Sequence, residues 1–113
     1  MYIANADYSA DCVVSNNNAS SDGGGIYAMY LNRLTHCVLA GNVANRSGGG
    51  VNDVALSGVG ANFLVENCVF SNNTALVNGG GFQHGSGNLI MRKCTLVTNT
   101  AANGGGFSTT GDG

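Results

Sequence analysis

A chain of 113 residues with a net charge of −2 and only 9% charged side chains holds at most one ordinary domain. Its nineteen glycines and sixteen asparagines, with no proline or tryptophan, oppose a helical bundle, and without proline it cannot be collagen. At 43% hydrophobic it is no charged disordered tail, and four Lys plus Arg give no footprint for nucleic acid.

The first segment, Met1 to Cys12, has neither a basic n-region nor an apolar h-region, so it does not read as a signal peptide. No stretch approaches the apolar length of a membrane span. From about Asp11 the chain repeats itself, in units near 11–35, 36–66, 67–92 and 93–113. Each unit opens on a cysteine: Cys12, Cys37, Cys68 and Cys94. Two residues on comes an apolar side chain: Val14, Leu39, Phe70 and Leu96. Five residues after each cysteine stands an asparagine (Asn17, Asn42, Asn73, Asn99), and seven after it an alanine (Ala19, Ala44, Ala75, Ala101). A glycine triplet follows at 23–25, 48–50, 79–81 and 104–106, and then Ile26, Val51, Phe82 and Phe107. The periods are 25, 31 and 26 residues, and the long one holds an insertion near Val54 to Ala61.

Alternation around each cysteine predicts a half-buried strand. Upstream, Leu34, Val65 and Met91 lie three residues before a cysteine, with Phe63 and Leu89 two further back. An odd spacing of three demands a bend, so each unit should hold a strand such as Leu89 to Met91, a bend, and a strand such as Cys94 to Leu96. A third strand, such as Gly25 to Tyr30, should follow each triplet. Three short strands and three turns per unit describe one coil of a β-solenoid, with coils about 4.8 Å apart. The asparagines then form a ladder at a turn. The alanines fill a tight inward corner, and the triplets sit where a Cβ would clash. Absent proline fits strands that must all donate to a neighbour. The four cysteines share one inward phase, which suits a buried column of free thiols and also permits disulfides between adjacent rungs. Their spacing is not that of a zinc site.

At these residues the chain resembles the repeats of chlamydial-type polymorphic outer membrane proteins. The resemblance is clearest in Phe70-Ser71-Asn72-Asn73 followed by Gly79-Gly80-Gly81-Phe82, and it spans about Asp11 to Gly106. The other copies put Val14, Leu39 or Leu96 at the Phe position, and the third Gly replaces the family's usual Ala. The resemblance implies a right-handed parallel β-helix of the pectin-lyase type. It also implies an extracellular or outer-membrane, cell-surface passenger region of adhesive character. The family's signal peptide and membrane barrel are not in this chain.

That fold also hosts polysaccharide lyases and hydrolases, which need clustered or paired carboxylates. Asp7, Asp11, Asp22, Asp53, Glu66 and Asp112 share no repeat phase, and there is no Asp-Asp pair. His84-Gly85 matches part of a hydrolase motif, but Gln83 stands where Gly is expected. Arg92-Lys93 and His36 read as solvated turns. Asp53 and His84 each lie three residues after a triplet, which makes them neighbours on adjacent rungs. They form either a functional Asp–His pair or, more plainly, a polar surface contact or strand-end hydrogen bond. Ala28 and Thr109 fill the same column in the other coils. The sequons at Asn18, Asn45 and Asn72 are no more than composition supplies.

The expectation is therefore an all-β, right-handed parallel β-helix of about four coils, a fragment of a longer solenoid with open ends. No catalytic, metal or cofactor residues are expected. Its expected partners are neighbouring coils, with a host-surface or carbohydrate ligand. The leading function is a non-enzymatic stalk or adhesin-like segment. The rival is part of a polysaccharide-binding or polysaccharide-degrading β-helix whose active coils lie elsewhere.

Overall fold

The computed structural model describes residues 2–4, 9–29, 33–54, 62–85 and 88–109. Within them the chain is built from strands. The first coil runs β1 (Tyr2–Ala4), β2 (Ser9–Ala10), β3 (Val13–Ser15) and β4 (Asn18–Ala19). The second runs β5 (Ile26–Met29), β6 (Arg33–Thr35), β7 (Val38–Ala40) and β8 (Val43–Ala44). The third runs β9 (Val51–Val54), β10 (Asn62–Glu66), β11 (Val69–Ser71) and β12 (Thr74–Ala75). Then come β13 (Phe82–His84), β14 (Asn88–Arg92), β15 (Thr95–Val97) and β16 (Phe107–Thr109).

Each strand pairs, in parallel, with its equivalent one coil away. Four sheets result, ordered β1-β5-β9-β13-β16, β14-β10-β6-β2, β15-β11-β7-β3 and β12-β8-β4. This is a parallel β-helix. The register matches the repeat columns: Val14, Leu39, Phe70 and Leu96 stack, as do Ile26, Val51, Phe82 and Phe107. Three strands per coil are expected from the repeat pattern, and the structure has four. The added strand is the two-residue one carrying the alanine, so Ala19, Ala44 and Ala75 pair in a sheet instead of turning a corner. A small residue is needed there because Ala44 and Ala75 are buried inside the coil. The strand after each cysteine also starts one residue later than expected, since the cysteine itself leaves the bend.

Corners are set by left-handed residues. Asp11, His36, Asn67 and Lys93, each just before a cysteine, have φ of 52–55°. This is the bend that the odd spacing predicts. Asn16, Asn72 and Thr98 adopt the same conformation at φ 57, 53 and 52°, with Gly41 at 67° in their column. The first glycine of each triplet makes the third such corner, at φ 59–69°.

One triplet shows why all three positions are glycine. A Cβ on Gly23, whose φ is already +69°, would sit 2.6 Å from the Ile26 carbonyl oxygen. On Gly24 it would lie 2.5 Å from the carbonyl oxygen of Gly49 in the next coil. On Gly25 it would lie 2.6 Å from that of Gly50 and 3.0 Å from the Asn42 amide. Coils pack backbone to backbone here, and the N–H groups of Gly23, Gly24 and Gly25 donate to Ser47, Gly48 and Gly49.

The core lies inside the coil. Val14, Leu34, Leu39, Phe63, Val65, Phe70 and Phe82 are buried there with Cys37 and Cys68. Phe82 is its centre, with Phe63, Phe70 and Phe107 rings at 5.8, 5.9 and 5.9 Å between centroids. Such aromatic pairs add to area burial. The insertion at 55–61 lies outside the described residues, as do Asp7, Tyr30 and Asp112. Among the described residues no helix is long and apolar enough to cross a membrane.

Candidate functional site

The densest polar array is the asparagine ladder, placed just after the second corner of each coil. The Nδ2 groups of Asn17, Asn42 and Asn73 donate to the next rung's Oδ1 at 3.1, 3.0 and 3.0 Å. The backbone N–H groups of the same residues donate to the same oxygens at 3.1, 3.0 and 3.0 Å. Nδ2 of Asn42, Asn73 and Asn99 also reaches back to the carbonyl of Val14, Leu39 and Phe70 at 2.9, 2.8 and 2.9 Å. A primary amide has two donors and two acceptor sites. In Asn42 and Asn73 all four are used, and both side chains are fully buried. Aspartate lacks the donors and glutamine is one methylene too long, so only asparagine fits this pattern.

The cysteines sit at the first corner. Cys37, Cys68 and Cys94 each donate a thiol hydrogen bond to the carbonyl two residues before, at 3.2, 3.3 and 3.4 Å. Cys68 and Cys94 also approach the carbonyls of Leu34 and Val65 in the preceding coil, both at 3.5 Å. All four cysteines are free thiols. Burial pushes the Cys68 thiol up to about 11 and raises Cys37 as well. A thiol held neutral in this way is a poor nucleophile and a poor metal ligand.

Asp53 and His84 are brought together at the end of β9 and β13. They are direct register partners, with Nδ1 of His84 2.8 Å from Oδ2 of Asp53. They are not a polar surface contact, since both are 3% exposed; the contact is a buried strand-end hydrogen bond, His84 being the last residue of β13. They face inward because Val51 and Phe82, two residues earlier on the same strand face, point into the core. Their column runs from Ile3 through Ala28, which is also buried, to Thr109. Burial raises the Asp53 carboxyl above its ordinary value, and the hydrogen bond and charge of His84 partly oppose this.

The remaining candidates stay apart. His36 is exposed at its corner, and Arg92 faces Glu66 at 3.6 Å. Asp22 lies near Arg46, 3.7 Å away, and accepts from the Ser47 N–H at 3.0 Å. Among the described residues no group of three metal-ligating side chains converges.

Two columns escaped the sequence reading. One is Asn16, Gly41, Asn72 and Thr98, the left-handed corner before the ladder, where Thr98 donates to Asn72 Oδ1 at 2.5 Å. Its signal is a turn-forming residue directly before each ladder asparagine. The other is Asp22, Ser47, Asn78 and Asn103, just before the triplets, where Asn103 Nδ2 donates to Asn78 Oδ1 at 3.2 Å. Short polar residues before glycine were its signal.

Residues 11–29 and 67–84 match the family model described as the Chlamydia polymorphic membrane protein repeat. Both stretches contain the Asn-Asn dipeptide in which the first asparagine turns the corner and the second joins the ladder. No curated protein and no solved structure matches the chain. The chain is a parallel β-helix in which two stretches, residues 11–29 and 67–84, are similar to the polymorphic membrane protein repeat.

Proposed function

We propose that this chain is a non-enzymatic, cell-surface segment of an outer-membrane protein, a rigid rod with adhesin-like outer faces. The observation that carries this reading is where its polar chemistry is used. Asn42 and Asn73 are saturated by the neighbouring coils, and the thiols bond to backbone carbonyls. The repeated residues build the rod, and recognition is left to the outward side chains of each strand. The polymorphic membrane protein repeat supports the location.

The test has two arms. Beads coated with the chain are scored for attachment to epithelial cells against beads coated with a denatured sample. Antibody raised to the chain is scored for labelling of intact bacteria that carry it. Attachment above the denatured control and labelling without permeabilisation are expected. Turnover of polygalacturonate by the chain would overturn the non-enzymatic reading and favour a polysaccharide-degrading β-helix.

A further inference from the structure

We propose that the buried Asp53–His84 pair is a register lock, which marks the junction between the third coil and the one after it. The asparagine, cysteine and glycine columns are indifferent to order. Asparagine meets asparagine at each rung, cysteine stands beside cysteine, and glycine triplet lies on glycine triplet. Apolar columns differ in size, but apolar contact is non-directional. A strand of one coil would therefore pair acceptably with the equivalent strand of the wrong coil, or of another molecule. Repeats with weakly specified register are prone to slippage and domain swapping.

The column of Ile3, Ala28, Asp53, His84 and Thr109 differs. Only one neighbour pairing gives the Asp53 carboxyl an imidazole at 2.8 Å. Any other stacking buries that carboxyl against Ala28, Thr109 or a hydrophobic residue. A buried group stripped of its partner is strongly penalised, and buried polar pairs are best attested as fixers of register. The placement suits the task. Asp53 and His84 are 31 residues apart, bracketing the unit with the longest period. The Gly85 N–H donates to the Asp53 carbonyl at 2.8 Å, so the backbone pairing continues past the pair and holds it in line.

The experiment refolds the 113-residue chain from urea at high concentration and reads monomer and dimer by size exclusion with light scattering. Wild type is compared with Asp53→Ala, His84→Ala, the double variant Asp53→Ala/His84→Ala, and the exchanged variant Asp53→His/His84→Asp. Alanine fits the column because Ala28 already occupies it. The double variant should melt no lower than either single variant, yet refold with a several-fold higher dimer fraction. The exchanged variant should return to the wild-type fraction. A double variant with the wild-type monomer yield would overturn the lock, and so would an exchanged variant that dimerises like the double.

Discussion

Asn42 and Asn73 are joined twice: the side-chain amide and the backbone N–H of Asn42 both donate, at 3.0 Å, to the one Oδ1 of Asn73. The geometry makes each rung the cap of the one before. It also predicts that cost depends on position. Asn73→Ala takes the acceptor from the Asn42 backbone N–H and from one of its Nδ2 hydrogens, and the side-chain donor from the Leu39 carbonyl, inside the coil, at about 3–5 kcal/mol. Asn17→Ala, at an exposed rung that only donates to Asn42, should cost about 1 kcal/mol or less. Urea denaturation of the two variants checks the gradient.

Glycine triplets should be intolerant of a single methyl wherever a coil lies above them. A Cβ on Gly81 would stand 2.6 Å from the Gly106 carbonyl oxygen and 3.0 Å from the Asn99 amide. Gly81→Ala is expected to cost at least about 2 kcal/mol, since backbone cannot step aside. On Gly106 the nearest atoms are Leu96 carbons at 3.8 Å, an ordinary contact. Gly106→Ala should stay within about 0.5 kcal/mol of wild type. Thermal melts of both variants suffice.

Burial raises the Asp53 carboxyl, so the folded chain holds that proton at a pH where the unfolded chain has released it. Its contribution to stability is complete below the ordinary carboxyl value and is lost as pH rises through the raised one. The stability of wild type minus that of Asp53→Asn should therefore fall as pH is raised from about 4, and then level off. Urea titrations of the two proteins between pH 4 and pH 8, near the ordinary carboxyl and imidazole ranges, give the difference directly. A difference that grows with pH would contradict the raised carboxyl.

The thiols should be silent until the coil opens. With Cys68 pushed up to about 11 and Cys37 also raised, neither is thiolate near neutrality. A thiol reagent at pH 7.5, below the ordinary thiol range, should label Cys12 and Cys94 first because they are only partly buried. Denaturation without reductant should expose four reactive thiols per chain. A count near zero would mean disulfides along the column.

Thr98 is a β-branched residue in the left-handed region, at φ 52°, where its column elsewhere holds Asn16, Gly41 and Asn72. The conformation costs such a residue about 1–2 kcal/mol. Thr98→Asn keeps a side chain able to bond across the rung and should raise stability by about 0.5–1 kcal/mol. A melting temperature at or below wild type would show that the Thr98 bonds to Asn72 and Val97 outweigh the strain.

Much of this coil is legible residue by residue. The Cys, Asn, Ala and Gly columns each answer a demand that recurs identically on every rung, so repetition writes it plainly into the chain. The corner of Asp11, His36, Asn67 and Lys93 is different. Four dissimilar side chains share one backbone conformation there, because coil geometry imposes it and no residue type encodes it. The alanine strand looks like a corner in the sequence because two residues are too few to show alternation.

Asp53 and His84 mark the boundary between the two kinds of information. The sequence by itself determined that they meet, because a fixed offset from the glycine triplets puts them in one column. Only the tertiary structure decided that they meet inside, 3% exposed, with Ala28 beneath and Thr109 above. Offset is a property of one chain segment. Burial depends on the coils stacked on either side and on which face of the strand they enclose.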